Sequence, residues 1–289
     1  MQPVIGINLP KIRSFEALDA TLDSIKANGF DSVEINIETF PLIIGGEICR
    51  PWVDLLKGCL QRHSLLYSAH IGRGLDLRNL DNFALHKKVL DASLDICSEL
   101  HMNPLVLHYE VQTQNQLAEY QFVKAHKEAA IHAMRVGVTI CVENIEVELI
   151  PPVVSLAQAV DHPNLKLNLD TGHAFLAANY FHFDFLEAVE QMAPYLGHMH
   201  LNDNTGTFEE LRITNRSLYD SLTMNYRREF GRGDIHLPPF FGNVPFSEVF
   251  ARTSQYEGKY VCEYTSEDFG PLNANIQQKV RASILASRA

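Results

Sequence analysis

Short apolar runs rich in β-branched residues alternate along the chain with longer segments of amphipathic helical pattern. Eight runs have the length and composition of buried strands, namely Val4–Asn8, Ser32–Ile37, Leu65–His70, Pro104–Glu110, Val138–Asn144, Leu165–Asp170, Gly197–Asp203 and Lys259–Tyr264. Strict alternation of strand and helix predicts right-handed βαβ units and a parallel sheet. Eight such units favour a single closed (β/α)8 barrel, the TIM barrel, over an open doubly wound sheet.

Two of the intervening segments show the helical pattern well. In the first, Ser14 is placed to cap the start and Gly29 to end the helix, and one face carries Phe15, Leu18, Leu22 and Ile25. In the second, which follows Asp81, one face carries Leu85, Val89, Ala92, Ile96 and Leu100. Both patterns predict helices that pack against the sheet.

One connection is far longer than the roughly two to six residues of an ordinary loop in such a fold. It is an insertion at about residues 204–242, where four acids nearly cancel five arginines: Arg212, Arg216, Arg227, Arg228 and Arg232. The segment is typical of a solvated lid or an oligomer contact. It is also compatible with an anion-binding lid over the barrel mouth, because guanidinium groups suit phosphate.

Composition places the chain among single-domain, water-soluble proteins. Its 289 residues, 46% of them hydrophobic, suit one barrel over residues 1–289, since such barrels take about 250 residues. The formal charge of −11 disfavours a broad nucleic-acid surface. We expect a cytoplasmic protein with reduced thiols, because the five cysteines are scattered and neither a signal peptide nor a membrane-spanning run is visible.

Nine side chains of the types that bind metal ions lie at or just beyond the ends of predicted strands or in the long connection. They are His70, His108, Glu143, Asp170, His173, His200, Asp234, His236 and Glu263. Only a closed parallel barrel brings that many strand ends to one face. Polar groups facing a barrel interior are costly unless they bind something, and a divalent ion would supply that partner. The sequence therefore predicts a metal enzyme.

The alternation of side chains within the strands agrees with this hypothesis. Asn168 and Asp170 share one face of their strand with Lys166, and His200 shares one face of the next with His198 and Asn202. We assign His198, His63, His86, His101 and His126 structural roles, because a single histidine in an apolar setting is usually hydrogen-bonded and not a ligand.

Several motifs resemble one superfamily over essentially the whole chain. Leu169-Asp-Thr-Gly-His-Ala-Phe-Leu-Ala-Ala-Asn-Tyr180, His200-Leu-Asn-Asp203, Val142-Glu-Asn144 and Asp234-x-His236 followed by Leu-Pro-Pro are similar to signatures of the endonuclease IV and xylose isomerase-like barrels. The run Gly29-Phe-Asp-Ser-Val-Glu-Ile-Asn36 resembles their second strand. These motifs point to the superfamily more than to one reaction.

The resemblance implies one to three divalent ions. Its shared central site would consist of Glu143, Asp170, His200 and Glu263, a set that suits Mn²⁺, Mg²⁺ or Zn²⁺. His70 and His108, with Glu143 bridging, would hold a second ion, and His173, Asp234 and His236 a third; both sets favour Zn²⁺. Acceptors for the other histidine nitrogens could be Glu34, Asn36, Glu110 and Asn202.

Two reactions remain open at this point, besides a barrel that binds without turnover. The first is isomerisation or epimerisation of a small sugar or sugar phosphate, with Glu143 and Glu263 as catalytic acid and base beside a metal-polarised carbonyl. The second is cleavage of DNA at abasic sites, as in endonuclease IV, which the complete donor set favours. Departures near His108-Tyr-Glu110 and Glu143-Asn-Ile-Glu-Val147 weaken the second, so a sugar is the expected partner ahead of nucleic acid or membrane. Self-association into a homo-oligomer stays open.

Overall fold

The computed structural model describes residues 2–12, 14–72 and 74–288. Its strands, in chain order, are β1 (Val4–Asn8), β2 (Ser32–Asn36), β3 (Ile43–Ile44), β4 (Glu47–Ile48), β5 (Leu66–Ile71), β6 (Met102–His108), β7 (Ile140–Glu143), β8 (Leu165–Asp170), β9 (Leu196–Leu201) and β10 (Lys259–Cys262). β3 and β4 form a small antiparallel hairpin outside the main sheet.

The α-helices follow the barrel strands in the alternating order that the sequence predicts. They are α1 (Phe15–Ala27), α2 (Arg50–Leu60), α3 (Phe83–Glu99), α4 (Gln116–Val136), α5 (Ile150–Val160), α6 (Thr171–Phe181), α7 (Phe185–Met192), α8 (Leu211–Thr214), α9 (Arg216–Ser221), α10 (Met224–Phe230), α11 (Phe246–Arg252) and α12 (Asn273–Ser287). Single 3₁₀ turns occupy Ile37–Thr39, Ala193–Tyr195 and Gly270–Leu272.

The eight remaining strands close into a parallel barrel in the order β1-β10-β9-β8-β7-β6-β5-β2. The predicted (β/α)8 fold is therefore confirmed, with strand bounds that differ from the sequence-based ones by a few residues. Neighbouring strands are paired so that Asn36 lies beside His70, His108 beside Glu143 and Asp170 beside His200. These pairs all lie at the carboxyl ends of the strands, so polar side chains from six strands reach the same mouth.

Helix packing follows the predicted hydrophobic faces in α1 and departs from them in α3. In α1, Ser14 accepts a hydrogen bond from the Ala17 amide at 3.2 Å, and Leu18 and Leu22 are fully buried. In α3, Leu85 was expected on the buried face but is 45% exposed, while Leu90 and Leu94 are buried. Leu85 instead lies at the edge of the β3–β4 hairpin, beside Gly46 of its turn, an element that the hydrophobic pattern does not predict.

The long connection is folded instead of being an irregular loop. It contains α8, α9 and α10, and its two ends are joined by paired backbone hydrogen bonds between Asp203 and Leu237 at 2.8 and 2.9 Å. We call residues 204–242 the lid, because side chains from it line the barrel mouth. None of the helices in the described ranges has the length and apolar character needed for a bilayer span.

Candidate metal centre

The barrel brings the nine sequence-predicted side chains together in three groups that share one mouth. Their donor atoms lie within 4.8 Å of one another in each group. The groups are Glu143, Asp170, His200 and Glu263; His70, His108 and Glu143; and His173, Asp234 and His236. We call them the central, first flanking and second flanking clusters.

The central cluster is organised around one histidine nitrogen. His200 Nδ1 lies 3.1 Å from Glu143 Oε2, 3.1 Å from Glu263 Oε2 and 3.9 Å from Asp170 Oδ2. Glu143 ends β7, Asp170 ends β8, and Glu263 directly follows β10, where its amide donates to the Leu201 carbonyl at 3.0 Å. Four separate strand ends therefore supply four donors to one point.

The flanking clusters extend the central one on either side. His70 Nε2 and His108 Nε2 lie 3.6 and 3.7 Å from the two oxygens of Glu143. In the other flanking cluster, Asp234 Oδ2 lies 3.5 Å from His173 Nε2 and 2.9 Å from His236 Nε2. Glu143 belongs to both the central and the first flanking group, as expected of a bridging ligand.

A layer of buried polar side chains holds the central donors in place from below. Glu34 lies 2.8 Å from His200 Nε2 and 2.9 Å from His198 Nε2, and it accepts from Ser68 at 3.0 Å. Burial raises the pKa of Glu34, but the charge of His200 and the hydrogen bonds from His198 and His200 outweigh burial and hold the pKa well below its usual range. Glu34 is therefore an ionised carboxylate that fixes the orientation of the His200 ring. Histidines that bind metal ions require an acceptor of this kind for their second ring nitrogen.

Amides orient the central carboxylates. Asn168 donates to Glu143 at 3.0 Å, and Asn202 donates to Asp170 Oδ2 at 2.6 Å. Asn144 exchanges two hydrogen bonds with the Asp170 backbone at 2.9 and 3.0 Å. Asn144 appeared in the sequence only as part of a motif; its position directly after Glu143 at a strand end was the available signal.

The Asp170-Thr-Gly-His173 turn explains why one carboxylate and one imidazole lie so close. Asp170 caps α6, because its Oδ1 accepts from the His173 amide at 2.6 Å. This fixes the first turn of the helix, so that His173 Nδ1 lies 3.2 Å from Glu143 Oε1. Gly172 is required by packing, since a Cβ there would lie 1.7 Å from Asn202 Oδ1.

The carboxylates of the mouth differ in protonation. Burial acts to raise the pKa of Glu143 and of Glu263, but the charge of His200 outweighs it, leaving the pKa of Glu143 well below normal and that of Glu263 at about 2. Burial raises the pKa of Asp170 to about 8, against the charge of His173 and with the help of Glu143. At neutral pH Asp170 therefore carries a proton that a cation would displace.

A further observation, the set of buried polar atoms without hydrogen-bond partners in the described part of the chain, also indicates that these residues suit divalent ions. Among the described residues, buried polar atoms without a well-formed hydrogen bond include Glu143 Oε1, Glu263 Oε2, His200 Nδ1, His70 Nε2 and Asp234 Oδ1. All five belong to residues of the three clusters. Unsatisfied buried polar atoms are costly, and so many in one place fit the binding of a positively charged ion.

The clusters open into a cavity of about 530 Å³ that the lid partly covers. Its wall includes three acids that the sequence did not place there or placed only as acceptors, Glu38, Glu110 and Glu146. Burial, reinforced by Asp76, raises the pKa of Glu110 to about 7. Glu146 follows Glu143 by three residues and Glu38 follows Asn36 by two, but such spacings are too common to identify a site.

Two lid arginines hold the lid in place by different contacts. Arg227 joins segments of the lid itself, because it donates to the Tyr219 hydroxyl at 2.7 Å and the Asp234 carbonyl at 2.8 Å. Arg228 fastens the lid to the segment after β10, because it donates to Thr265 and Asp268 at 2.6 and 2.5 Å. Two other arginines line the cavity wall, where Arg212 pairs with Glu146 and Arg216 with Asp220 at 2.8 Å. Of the five lid arginines, Arg212 and Arg216 are therefore the two that could bind an anion in the cavity.

An eight-stranded parallel barrel with clustered histidines and carboxylates at its carboxyl end defines a class of (β/α)8 proteins. The family model described as xylose isomerase-like TIM barrel matches residues 22–286, and the chain belongs to this family. No curated protein matches the chain.

Solved structures agree in fold. A D-tagatose 3-epimerase-like protein is similar with a TM-score of 0.74 at 18% identity, over 100% of both chains. A xylose isomerase-like TIM barrel protein from Mycobacterium smegmatis in complex with magnesium has a TM-score of 0.73 at 14% identity, over 100% of this chain and 98% of that one. D-Psicose 3-epimerase from Clostridium cellulolyticum, with D-tagatose, has a TM-score of 0.67 at 17% identity, over 100% and 98%.

Proposed function

We propose that the protein is a divalent-metal-dependent isomerase or epimerase of a small sugar or sugar phosphate. The observation that carries this proposal is the pairing of Glu143 and Glu263. Both carboxylates lie 3.1 Å from the same nitrogen of His200, come from strands separated by β8 and β9, and border a cavity of small-molecule size. The epimerases among the similar structures add support at the level of fold.

Glu143, Asp170, His200 and Glu263 would hold the essential ion, which is Mn²⁺, Mg²⁺ or Zn²⁺ by the chemistry of three carboxylates and one imidazole. When bound, the ion supplies positive charge that polarises the substrate carbonyl and makes the neighbouring C–H acidic. The two flanking clusters are richer in nitrogen and would take Zn²⁺ if they are filled.

Proton transfer would fall to the two glutamates. Both are ionised at neutral pH, since their pKa values lie well below 7, so either can remove a proton from carbon. Because they approach from different sides of the barrel, one can take the proton and the other can return it to the opposite face or to the neighbouring carbon. Arg212 and Arg216 line the cavity wall and would orient hydroxyl or phosphate oxygens.

Cleavage of DNA at abasic sites is the second candidate, and the completeness of both flanking clusters favours it. The surroundings favour the sugar reaction. Acidic side chains outnumber the lid arginines on the wall of the same cavity, with Glu38, Glu110 and Glu146 against Arg212 and Arg216, and this balance disfavours a phosphate backbone. Side chains of the lid, among them Arg212 and Arg216, also line this cavity.

The direct test is proton exchange. The purified protein with Mn²⁺ or Zn²⁺ is incubated in heavy water with a panel of pentoses, hexoses and their phosphates, and deuterium incorporation is followed by NMR or mass spectrometry. We expect metal-dependent incorporation beside the carbonyl of at least one keto sugar. Absence of exchange over the whole panel would contradict the proposal.

A second assay separates the two candidate reactions. A duplex with a single abasic analogue is incubated with the metal-loaded protein at low enzyme excess, and we expect no incision. Metal-dependent incision would reverse the ranking. Elemental analysis adds to this, because one ion per chain fits the isomerase and three bound Zn²⁺ would favour the nuclease.

A further inference from the structure

The barrel mouth has a second cleft beside the one that contains the clusters. It has a volume of about 490 Å³ and lies between the carboxyl ends of β1, β2 and β10 and the start of α10. Its wall shares Asn36, Glu38, His236 and Glu263 with the metal-lined cavity. The two spaces therefore form one two-lobed site, with Glu263 on the boundary and Glu143 only in the metal-lined lobe.

The second lobe differs from the first in chemistry. The first lobe is lined mainly by histidines and carboxylates. The second adds apolar side chains from the β1 loop, the lid and the β10 end, which lie among polar ones such as Asn8, Thr39 and Thr265: Leu9, Pro10, Ile12, Met224 and Tyr264. Polar groups stand at its edge, where the Lys11 amide donates to Glu267 at 3.3 Å. An apolar wall with a polar rim suits the flat carbon–hydrogen face of a ring with polar edges.

Each lobe alone is large enough for one sugar, since pockets that bury a drug-sized ligand hold roughly 300–1,000 Å³. A substrate whose reacting carbon lies between Glu143 and Glu263 would have one end among the histidines of the first lobe. Its other end would point past Glu263 into the second lobe. A free monosaccharide would leave the half-buried side chains of Pro10 and Met224 in water. Burying their exposed apolar surface is favourable by about 25 cal/mol per Å².

We propose that the second lobe is a subsite for a ring carried by the substrate, so that the preferred substrate is a ring-substituted keto sugar and not a free monosaccharide. The ring is an aromatic group or a second sugar, which share the apolar faces that this wall accepts. This inference rests on the proposed isomerase or epimerase function and specifies its substrate class.

The test compares three kinds of probe in the metal-loaded full-length protein: free D-fructose, keto-disaccharides such as lactulose and isomaltulose, and a benzyl ether of fructose. We expect kcat/KM for deuterium exchange to be at least tenfold higher for a disaccharide or for the benzyl ether than for fructose; which one gains identifies the ring. Met224→Trp should remove most of that gain by filling the lobe. Leu218→Trp, an equal enlargement at a lid residue 45% exposed and outside both lobes, should keep it.

The outcomes separate this inference from the function it rests on. Exchange of free fructose at a rate equal to or above every substituted probe supports the isomerase and overturns the subsite. If no probe exchanges, binding of the same substituted probes is measured by saturation-transfer NMR. Binding that Met224→Trp abolishes and Leu218→Trp retains supports the subsite without the reaction, and binding that is absent or unchanged in both variants overturns it.

Discussion

Gly172→Ala is the most informative single change in this molecule, because it should disturb the candidate metal ligand Asp170 indirectly, by displacing the Asn202 side chain that orients it. An added Cβ at this position would lie 1.7 Å from Asn202 Oδ1 and 2.7 Å from its Cγ. Asn202 is fully buried and donates to Asp170 Oδ2 at 2.6 Å. The methyl group must therefore push Asn202 away and take from Asp170 the hydrogen bond that orients it.

The size of the effect follows from two contributions. Overpacking a dense region costs about 1–3 kcal/mol of folding free energy. Loss of a hydrogen bond that orients a metal-binding carboxylate lowers metal affinity by roughly 10–100-fold, which corresponds to about 1.4–2.7 kcal/mol of binding free energy. We expect both effects in Gly172→Ala and only the second in Asn202→Ala, which removes the same donor and leaves room.

The assay is a double-mutant cycle with two readouts. Calorimetry measures Mn²⁺ affinity, and urea denaturation measures the free energy of unfolding of the protein after its metal has been removed with a chelator. The double variant should bind Mn²⁺ no more weakly than Asn202→Ala alone, because without the Asn202 side chain the new methyl group no longer meets that amide. Gly58→Ala is the matched control: its Cβ meets no atom within 4 Å inside α2, so it should stabilise by about 0.5–1 kcal/mol and leave affinity unchanged.

Wild-type Mn²⁺ affinity in Gly172→Ala would refute this reasoning, as would a double variant with the full sum of the two single losses. The first result would mean that Asp170 does not contribute to metal binding. The second would mean that Gly172 and Asn202 act through different contacts.

The remaining predictions concern the donors and the core. Glu143→Gln and Glu263→Gln should each abolish deuterium exchange while circular dichroism stays unchanged; residual exchange above a tenth of wild type in either would argue against its role. Affinity for Zn²⁺ or Mn²⁺ should rise with pH through about 8 and beyond, because the ion must displace two protons. One is on Asp170, whose pKa burial raises to about 8, and the other is on His200, where burial is outweighed by the charges of Glu34 and Glu143, which raise its pKa well above the usual value. Calorimetry in two buffers of different ionisation enthalpy should detect proton release, and an affinity independent of pH would contradict this. Cys141→Ala, at a fully buried barrel position, should cost on the order of 1 kcal/mol of unfolding free energy without changing metal stoichiometry.

The sequence was sufficient for the barrel because periodicity and position agree in each strand. Leu165–Asp170 was predicted with the bounds that the structure has, because its leucines alternate with Lys166, Asn168 and Asp170 on the other face of the strand. The same reasoning predicted that the nine candidate metal ligands lie at one face of the barrel, because parallel strands run in one direction and their carboxyl ends lie at the same edge.

The features of the structure that the local sequence pattern could not predict are those that depend on contacts between residues far apart in the chain. The lid was expected as a long connection without predicted helices, yet Thr223 caps a short helix there and accepts from the Tyr226 amide at 3.2 Å. Helices of four to seven residues are too short for their periodicity to be recognised. Glu34 was one of several equal candidates for a histidine acceptor. Only the closed barrel sets it below His200 and His198, which lie 164 and more residues further along.

The lid carries two of the metal-type donors, Asp234 and His236, whereas the other seven belong to the barrel wall or to α6. An ion shared by His173 of α6 and those two would therefore tie the lid to the wall in addition to the Arg228 contacts. Chelation should then make the lid backbone near residues 215–231 more accessible to trypsin, which cleaves after its arginines. Susceptibility to proteolysis would in that way report whether the second flanking cluster is filled, without any substrate being known.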